Sequence, residues 1–152
     1  MTEVVAALKA SPLFRGFTDT GLQILAGVCV QRAYPAGTPL FVENMVSDGL
    51  LVIVDGRVAL SSVGPRGEAI MLGEVGHGDW LGELSLIVPG QRMCTATALT
   101  PVWAYELRHS DFQRLLGTKP QACIKLLMSI CSSVGHKVIE NRDALKALLA
   151  KP

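Results

Sequence analysis

Two side chains in this chain have the types and the spacing to hold a phosphorylated sugar. Glu83 lies in the run Gly82-Glu83-Leu84-Ser85-Leu86, and Arg92 follows nine residues later. Gly82 and Glu83 open a short helix-forming run. A helix N-terminus presents unpaired backbone N–H groups and the positive end of a dipole, so it attracts an anion. A guanidinium adds planar donors with a fixed charge that suit a phosphate. A carboxylate next to an anion site repels the anion, but it accepts a hydroxyl of the sugar that carries it. Phosphate donors, one arginine and one carboxylate together describe a phosphorylated ribose. The alternative is a structural ion pair between Arg92 and Glu83 with no ligand.

The elements that must position these residues fall into three zones. Residues 1–27 are helix-like, with Val4, Val5 and Leu8, then Leu22, Ile24 and Leu25, at helical spacing. Ser11-Pro12-Leu13-Phe14 separates the two runs, and Thr18 or Asp19 can cap the second. Residues 28–107 consist of short Val-, Ile-, Leu- and Thr-rich runs cut by turn residues. Asp55-Gly56 reads as a hairpin turn, and Gly64-Pro65-Arg66-Gly67 as another. Leu50–Val54, Arg57–Val63, Glu68–Val75, Met93–Thr100 and Val102–Leu107 are the candidate strands, an all-β sandwich or barrel pattern. The helix-opening stretch 82–88 is then an insertion within β-structure, which strengthens its functional reading. Residues 109–150 return to helix, with Ser110 as a cap for Asp111–Leu116, Gly117 as its end, and one long helix from Pro120 to about Leu149.

That long helix carries a second pattern. Ile124, Leu127, Cys131, Val134, Val138, Asn141, Leu145 and Leu148 follow alternating steps of three and four, a heptad seam with one polar interruption. It predicts a homodimer through this helix. A helix packed on its own β-domain gives similar spacing. Lys137 and Arg142 would face each other across a parallel dimer and repel, and Gly135 weakens the helix.

Composition narrows the function classes. The 152 residues suit one domain, 1–152, with a real core. No uninterrupted apolar run reaches the roughly 18 residues that span a bilayer. Val4–Leu8 is too short for a signal-peptide core and follows acidic Glu3, so a soluble cytoplasmic protein without membrane contact is expected. The net charge is +1 with scattered basic residues, which lacks the footprint of direct nucleic-acid binding. Cys29, Cys94, Cys123 and Cys131 have no C-x-x-C pair and no clustered histidine, so reduced, mostly buried thiols and no metal are expected. No G-x-S-x-G elbow or paired acids indicate an enzyme.

Gly78-Asp79-Trp80-Leu81-Gly82-Glu83-Leu84-Ser85-Leu86, followed by Arg92-Met93-Cys94-Thr95-Ala96, resembles the phosphate-binding cassette of cyclic nucleotide-binding domains. This is the family of the catabolite activator protein and the regulatory subunits of cyclic AMP-dependent protein kinase. Leu40–Asn44 and Leu51–Val58 resemble its upstream strand–turn–strand signature. The resemblance implies a jelly-roll-like β-roll (a double-stranded β-helix, mainly β with flanking α) with N-terminal helices and a long C-terminal helix. The cassette would be 81–94.

The resemblance also implies roles. Arg92 would pair with the cyclic phosphate, Glu83 would accept the ribose 2′-hydroxyl, and backbone N–H groups at Gly82, Leu84 and Ser85 would cradle the phosphate. Cys94 would face the ligand through its backbone, and Leu81, Met93 and Val75 would line the apolar part. Met93 stands where some relatives carry Ser or Thr, which favours cyclic AMP over cyclic GMP. Asn44 replaces a turn glycine and tolerates the left-handed geometry. A base-capping residue is expected from His136, Lys137 or Arg142, with Lys137 nearest the family position. After Leu149 only Ala150, Lys151 and Pro152 follow, too few for a helix-turn-helix. The expectation is therefore a sensor that signals to an unknown effector through its C-terminal helices. The alternatives are a truncated or atypical catabolite activator protein-like regulator, or an interaction module that has lost its ligand.

Overall fold

A computed structural model describes residues 2–88 and 90–150. Helix α1 (Thr2–Ala10), a 3-10 turn (Pro12–Phe14) and α2 (Asp19–Ala26) lead into eight strands: β1 (Val30–Tyr34), β2 (Pro39–Phe41), β3 (Gly49–Asp55), β4 (Val58–Val63), β5 (Ala69–Val75), β6 (Trp80–Leu81), β7 (Thr95–Ala98) and β8 (Val102–Arg108). Helices α3 (His109–Thr118), α4 (Pro120–Glu140) and α5 (Arg142–Leu149) follow. Thr18 caps α2, its hydroxyl accepting from the Gly21 N–H at 3.0 Å.

The strands form two four-stranded antiparallel sheets, ordered β1-β8-β3-β6 and β2-β7-β4-β5. Phe41, Leu51, Ile53, Val58, Ala96 and Val102 fill the space between them. On β3 the alternate residues Leu50 and Val52 face the opposite way and join Leu8, Leu25, Phe112, Leu126 and Ile130 in a helical core. Because side chains alternate along a strand, β3 must be apolar on both faces. Its run Leu50–Val54 is therefore continuous rather than alternating.

The turn signals meet different fates. Gly64–Gly67 closes the β4–β5 hairpin, with the Gly64 N–H donating to the Glu68 carbonyl at 2.8 Å. Asp55-Gly56 does not make a hairpin, because β3 and β4 belong to different sheets. It is a corner between them. Gly56 has φ +99°, and a Cβ there would sit 2.4 Å from the Pro101 carbonyl oxygen.

The helices also depart from expectation. Helix α3 starts at His109 and runs through Gly117 to Thr118, and no side chain caps it. Asp111, not Ser110, organises its first turn, accepting from Arg108 Nε at 2.6 Å and from Arg114. The long helix ends at Glu140, where Asn141 leaves helical geometry at φ −104°, ψ 19° and donates from its amide to the Lys137 carbonyl at 2.8 Å. Asn141 thus interrupts the helix rather than the seam, and Leu145 and Leu148 belong to the separate α5. Helix α4 is long and apolar enough, by length and composition alone, to cross a membrane. Lys125 and the serines divide it, so it holds no long uninterrupted apolar run. Its residues Cys123, Leu126 and Ile130 are fully buried in the helical core. Cys123 is the buried thiol; Cys29 and Cys94 are half-buried and Cys131 is exposed, so burial is less general than expected.

Candidate functional site

The site forms where the chain leaves β6. Gly82 turns it with φ +77°, and Glu83–Leu86 make a single 3-10 turn rather than the expected helix start. Leu86 anchors the turn in the helical core. So short a turn contributes little dipole, and the Ser85 N–H is already used, donating to the Gly82 carbonyl at 3.0 Å. Attraction for an anion rests instead mainly on Arg92. A Cβ on Gly82 would lie 2.0 Å from Arg92 Nη1 and 2.7 Å from the Gly49 carbonyl oxygen. The glycine is therefore required by conformation and by the arginine's approach.

Arg92 is 7% exposed. Nη2 donates to the Gly49 carbonyl at 3.2 Å and Nη1 to Ser85 Oγ at 3.4 Å. Its guanidinium carbon lies 4.2 Å from the centre of the Phe41 ring. Nε is buried without a hydrogen-bond partner. Among the described residues no carboxylate pairs with it. Burial pulls its pKa below the ordinary value. A buried cation held by neutral groups is costly, and an anion in front of it removes much of that cost.

The main chain around Arg92 is fixed from the other side. Its N–H donates to the Met45 carbonyl at 2.7 Å, and its carbonyl accepts from the Asn44 N–H at 2.8 Å. Asn44 has φ +70°, the left-handed geometry expected of it. Glu83 pairs with Lys137 Nζ at 3.5 Å, not with Arg92, so the structural Arg92–Glu83 pair is absent.

A cavity of about 460 Å³ opens at this point. Val75, Leu81, Gly82, Glu83, Leu84, Ser85, Arg92, Met93, Cys94 and Lys137, all singled out from the sequence, line it. Among the three capping candidates only Lys137 reaches it. His136 lines a neighbouring groove and Arg142 pairs with exposed Asp143 at 3.9 Å. Burial raises the Cys94 thiol's pKa, with Glu43 adding to the shift, which favours the neutral thiol beside the cavity.

Phe41 and Ser47 also line the cavity and were not singled out. Ser47 Oγ hydrogen-bonds Ser85 Oγ. The Ser85 carbonyl faces His109 Nδ1 at 2.9 Å, so that nitrogen must carry the proton. His109 opens α3, and this contact joins the turn to the helix.

A two-sheet β-roll with an arginine-backed pocket at an interrupted strand, flanked by helices, defines a regulatory ligand-binding domain. The model of the cyclic nucleotide-binding domain matches residues 31–119, and the chain belongs to that family. It is 28% identical over 113 residues to the "Cyclic AMP receptor protein" of Thermus thermophilus, covering 74% of this chain and 52% of that one. It is 31% identical over 114 residues to a "Cyclic nucleotide-gated potassium channel" of Rhizobium etli, covering 75% of this chain and 30% of that one. The solved N-terminal domain of a transcriptional regulator from Streptomyces coelicolor A3(2) superimposes with a TM-score of 0.78 at 34% identity, covering 86% of this chain and 94% of that one. The chain spans about half the length of the receptor protein or less than a third of the channel.

Proposed function

We propose that this domain is a sensor of a cyclic mononucleotide, cyclic AMP in preference to cyclic GMP, acting as one unit over residues 1–152 and without catalysis. The observation that carries the reading is Arg92, a buried guanidinium that no carboxylate among the described residues pairs with, at the back of a cavity of ligand size. In this reading the cyclic phosphate meets Arg92 and the N–H groups of Gly82 and Leu84. The ribose 2′-hydroxyl donates to Glu83, in competition with Lys137. The base lies along Val75, Leu81 and Met93, and Lys137 covers the mouth. The Ser85 N–H, already used in the turn, contributes less than expected from the sequence, while Ser85 Oγ positions Arg92.

The nucleotide acts by shifting a population and can do so only through a higher affinity for one state. Movement of the turn reaches α3 through His109 and through Leu86, and reaches α4 through Lys137. Isothermal titration with cyclic AMP and cyclic GMP tests the reading. Binding of cyclic AMP with the larger association constant is expected. No heat with either nucleotide at millimolar concentration overturns the reading.

A homodimer through α4 belongs to the same reading. Ile124, Cys131 and Val138 are exposed, and Leu127 and Val134 are half-buried against the helical core, so the apolar stripe flanks the buried face of α4 and is open to a second copy at its exposed members. A cytoplasmic location and an effector protein as the recipient of the signal go with it. The second reading is a part of a catabolite activator protein-like transcription regulator, favoured by the fraction of its relatives' length that the chain spans. A parent chain continuing into a basic helical domain would favour it.

A further inference from the structure

Beside the cavity runs a groove of about 700 Å³ between α4 and the segment around the first 3-10 turn. Arg15, Lys125, His136 and Lys137 line it, with Glu140 as the acidic member. Among the described residues Arg15 and Lys125 have no carboxylate partner. Its apolar lining includes Leu13 and Met128. Trp80 and Lys137 line both the groove and the cavity.

The groove is a separate face of α4. At about 100° per residue, Lys125, Ser129, Ser132 and His136 form a stripe on one side of the buried residues Cys123, Leu126 and Ile130. The apolar stripe of Ile124, Leu127, Cys131 and Val138 lies on the other side.

We infer that this groove docks an acidic, partly apolar peptide segment of a partner protein, and that cyclic nucleotide in the cavity tightens the docking. The inference rests on the cyclic nucleotide reading of the cavity. Excess positive charge selects the acidic side chains, and exposed Met128 with half-buried Trp80 selects the apolar ones. Glu140 and the hydroxyls of Ser132 and Ser133 accept hydrogen bonds from peptide N–H groups, donors that a phosphodiester backbone lacks. From Lys125 to Glu140 the helix rises about 22 Å, which an extended peptide covers in roughly seven residues. The link to the cavity is Lys137. When a ribose hydroxyl donates to Glu83, Lys137 is no longer held at 3.5 Å from that carboxylate, and from its place over the mouth, on the border of both spaces, it is free to meet an acidic side chain in the groove.

The test is fluorescence anisotropy of a labelled heptapeptide built from Glu and Leu, titrated with the protein with and without saturating cyclic AMP. Binding at least threefold tighter with cyclic AMP is expected. Lys125→Glu should weaken it at least tenfold while leaving cyclic AMP affinity by calorimetry unchanged, which shows that the variant is folded. Arg66→Glu, on the β4–β5 turn, makes the same charge change elsewhere and should have little effect. Absence of peptide binding, equal loss from Lys125→Glu and Arg66→Glu, or stronger binding of a single-stranded oligonucleotide than of the peptide overturns the inference. Cyclic AMP binding with no effect on the peptide overturns the coupling. If cyclic AMP does not bind, the cavity reading fails and the coupling with it, and peptide binding with its Lys125 dependence judges the groove alone.

Discussion

The turn at Gly82 and helix α4 face the same cavity but are held there by different means. The turn is fixed by its backbone. Gly82 occupies a left-handed conformation with no room for a Cβ, Leu86 is buried, and the Arg92 main chain is clamped between Asn44 and Met45. Helix α4 is buried only in its first half, through Cys123, Leu126 and Ile130. Lys137, its contact with the site, is 62% exposed and reaches a Glu83 side chain that is 13% exposed. One wall of the cavity is preformed. The other meets it through an ion pair exposed on its lysine side, where solvent screens it and lowers its strength. The sensor proposed above uses this division, because segments with few buried contacts open at low free energy.

The largest expected effect lies in the preformed wall. Arg92→Ala removes the charged partner of a buried phosphate, so cyclic AMP affinity should fall by about 2–5 kcal/mol. Calorimetry measures this directly. An unchanged affinity would mean that the phosphate sits elsewhere, and the contrast between the walls would lose its basis.

The next effect tests the outer side of the helix. Leu127→Asp puts a charge into the apolar stripe of α4, and desolvating it costs on the order of 3 kcal/mol. Light scattering should show a dimer for the native chain and a monomer for the variant. A native chain that remains monomeric at high concentration removes the dimer.

The two regions also differ in how much their sequences reveal, and for a physical reason. Glu83 and Arg92 were legible as neighbours of one cavity because their types and spacing are distinctive, whereas the left-handed turn at Gly82 was read as the start of a helix. The two-sheet fold was legible from strands and turns, since Gly64–Gly67 and Asn44 behave as their local chemistry dictates. Phe41 and Ser47 were not, because they join Arg92 only through the pairing of β2 with β7 and the contact of Ser47 with Ser85. No local pattern carries that pairing. Asp55-Gly56 shows the limit well: its residues specify a turn, but not which strands meet across it. Asn141 shows the same limit in a helix. An amide in a heptad can fix a register or end a helix, and here it bonds back to the Lys137 carbonyl.

Gly82→Ala sharpens the claim that the turn is set by its backbone. A residue with a Cβ at φ +77° costs about 1–3 kcal/mol, and the new atom collides with Arg92 Nη1. Thermal unfolding without ligand should show the loss, and cyclic AMP affinity should fall with it. A variant of native stability and affinity would show that the turn yields as readily as the helix.

Between the walls stands α3, whose first turn depends on Asp111. Its carboxylate is held below the ordinary carboxylate pKa first by the hydrogen bond from Arg108, and also by Arg114, while burial opposes the shift. A carboxylate with a depressed native pKa contributes stability that is present above its unfolded pKa, about 3.9. That contribution is lost as pH falls through the native pKa. Asp111→Asn should therefore destabilise the protein at pH 7, and the difference from the native chain should shrink below about pH 4. Denaturant unfolding at the two pH values measures it. A difference independent of pH would assign Asp111 a role in packing alone.

The smallest effect is the most direct test of the loosely held wall. Lys137→Met keeps the aliphatic stem and removes the charge. Two consequences oppose each other: the mouth loses a polar cover, and Glu83 loses the competitor that a ribose hydroxyl must displace. The pair is open to solvent on its lysine side, so the net change in cyclic AMP affinity should stay below about 1 kcal/mol. Its salt dependence should also flatten, because an exposed pair is screened within about 8 Å at physiological ionic strength. Titrations at low and high salt separate the two consequences. A loss of tenfold or more at both salt concentrations would mean that α4 grips the nucleotide as firmly as the turn does. The helix would then be part of the recognition surface, and the response would have to arise in α3.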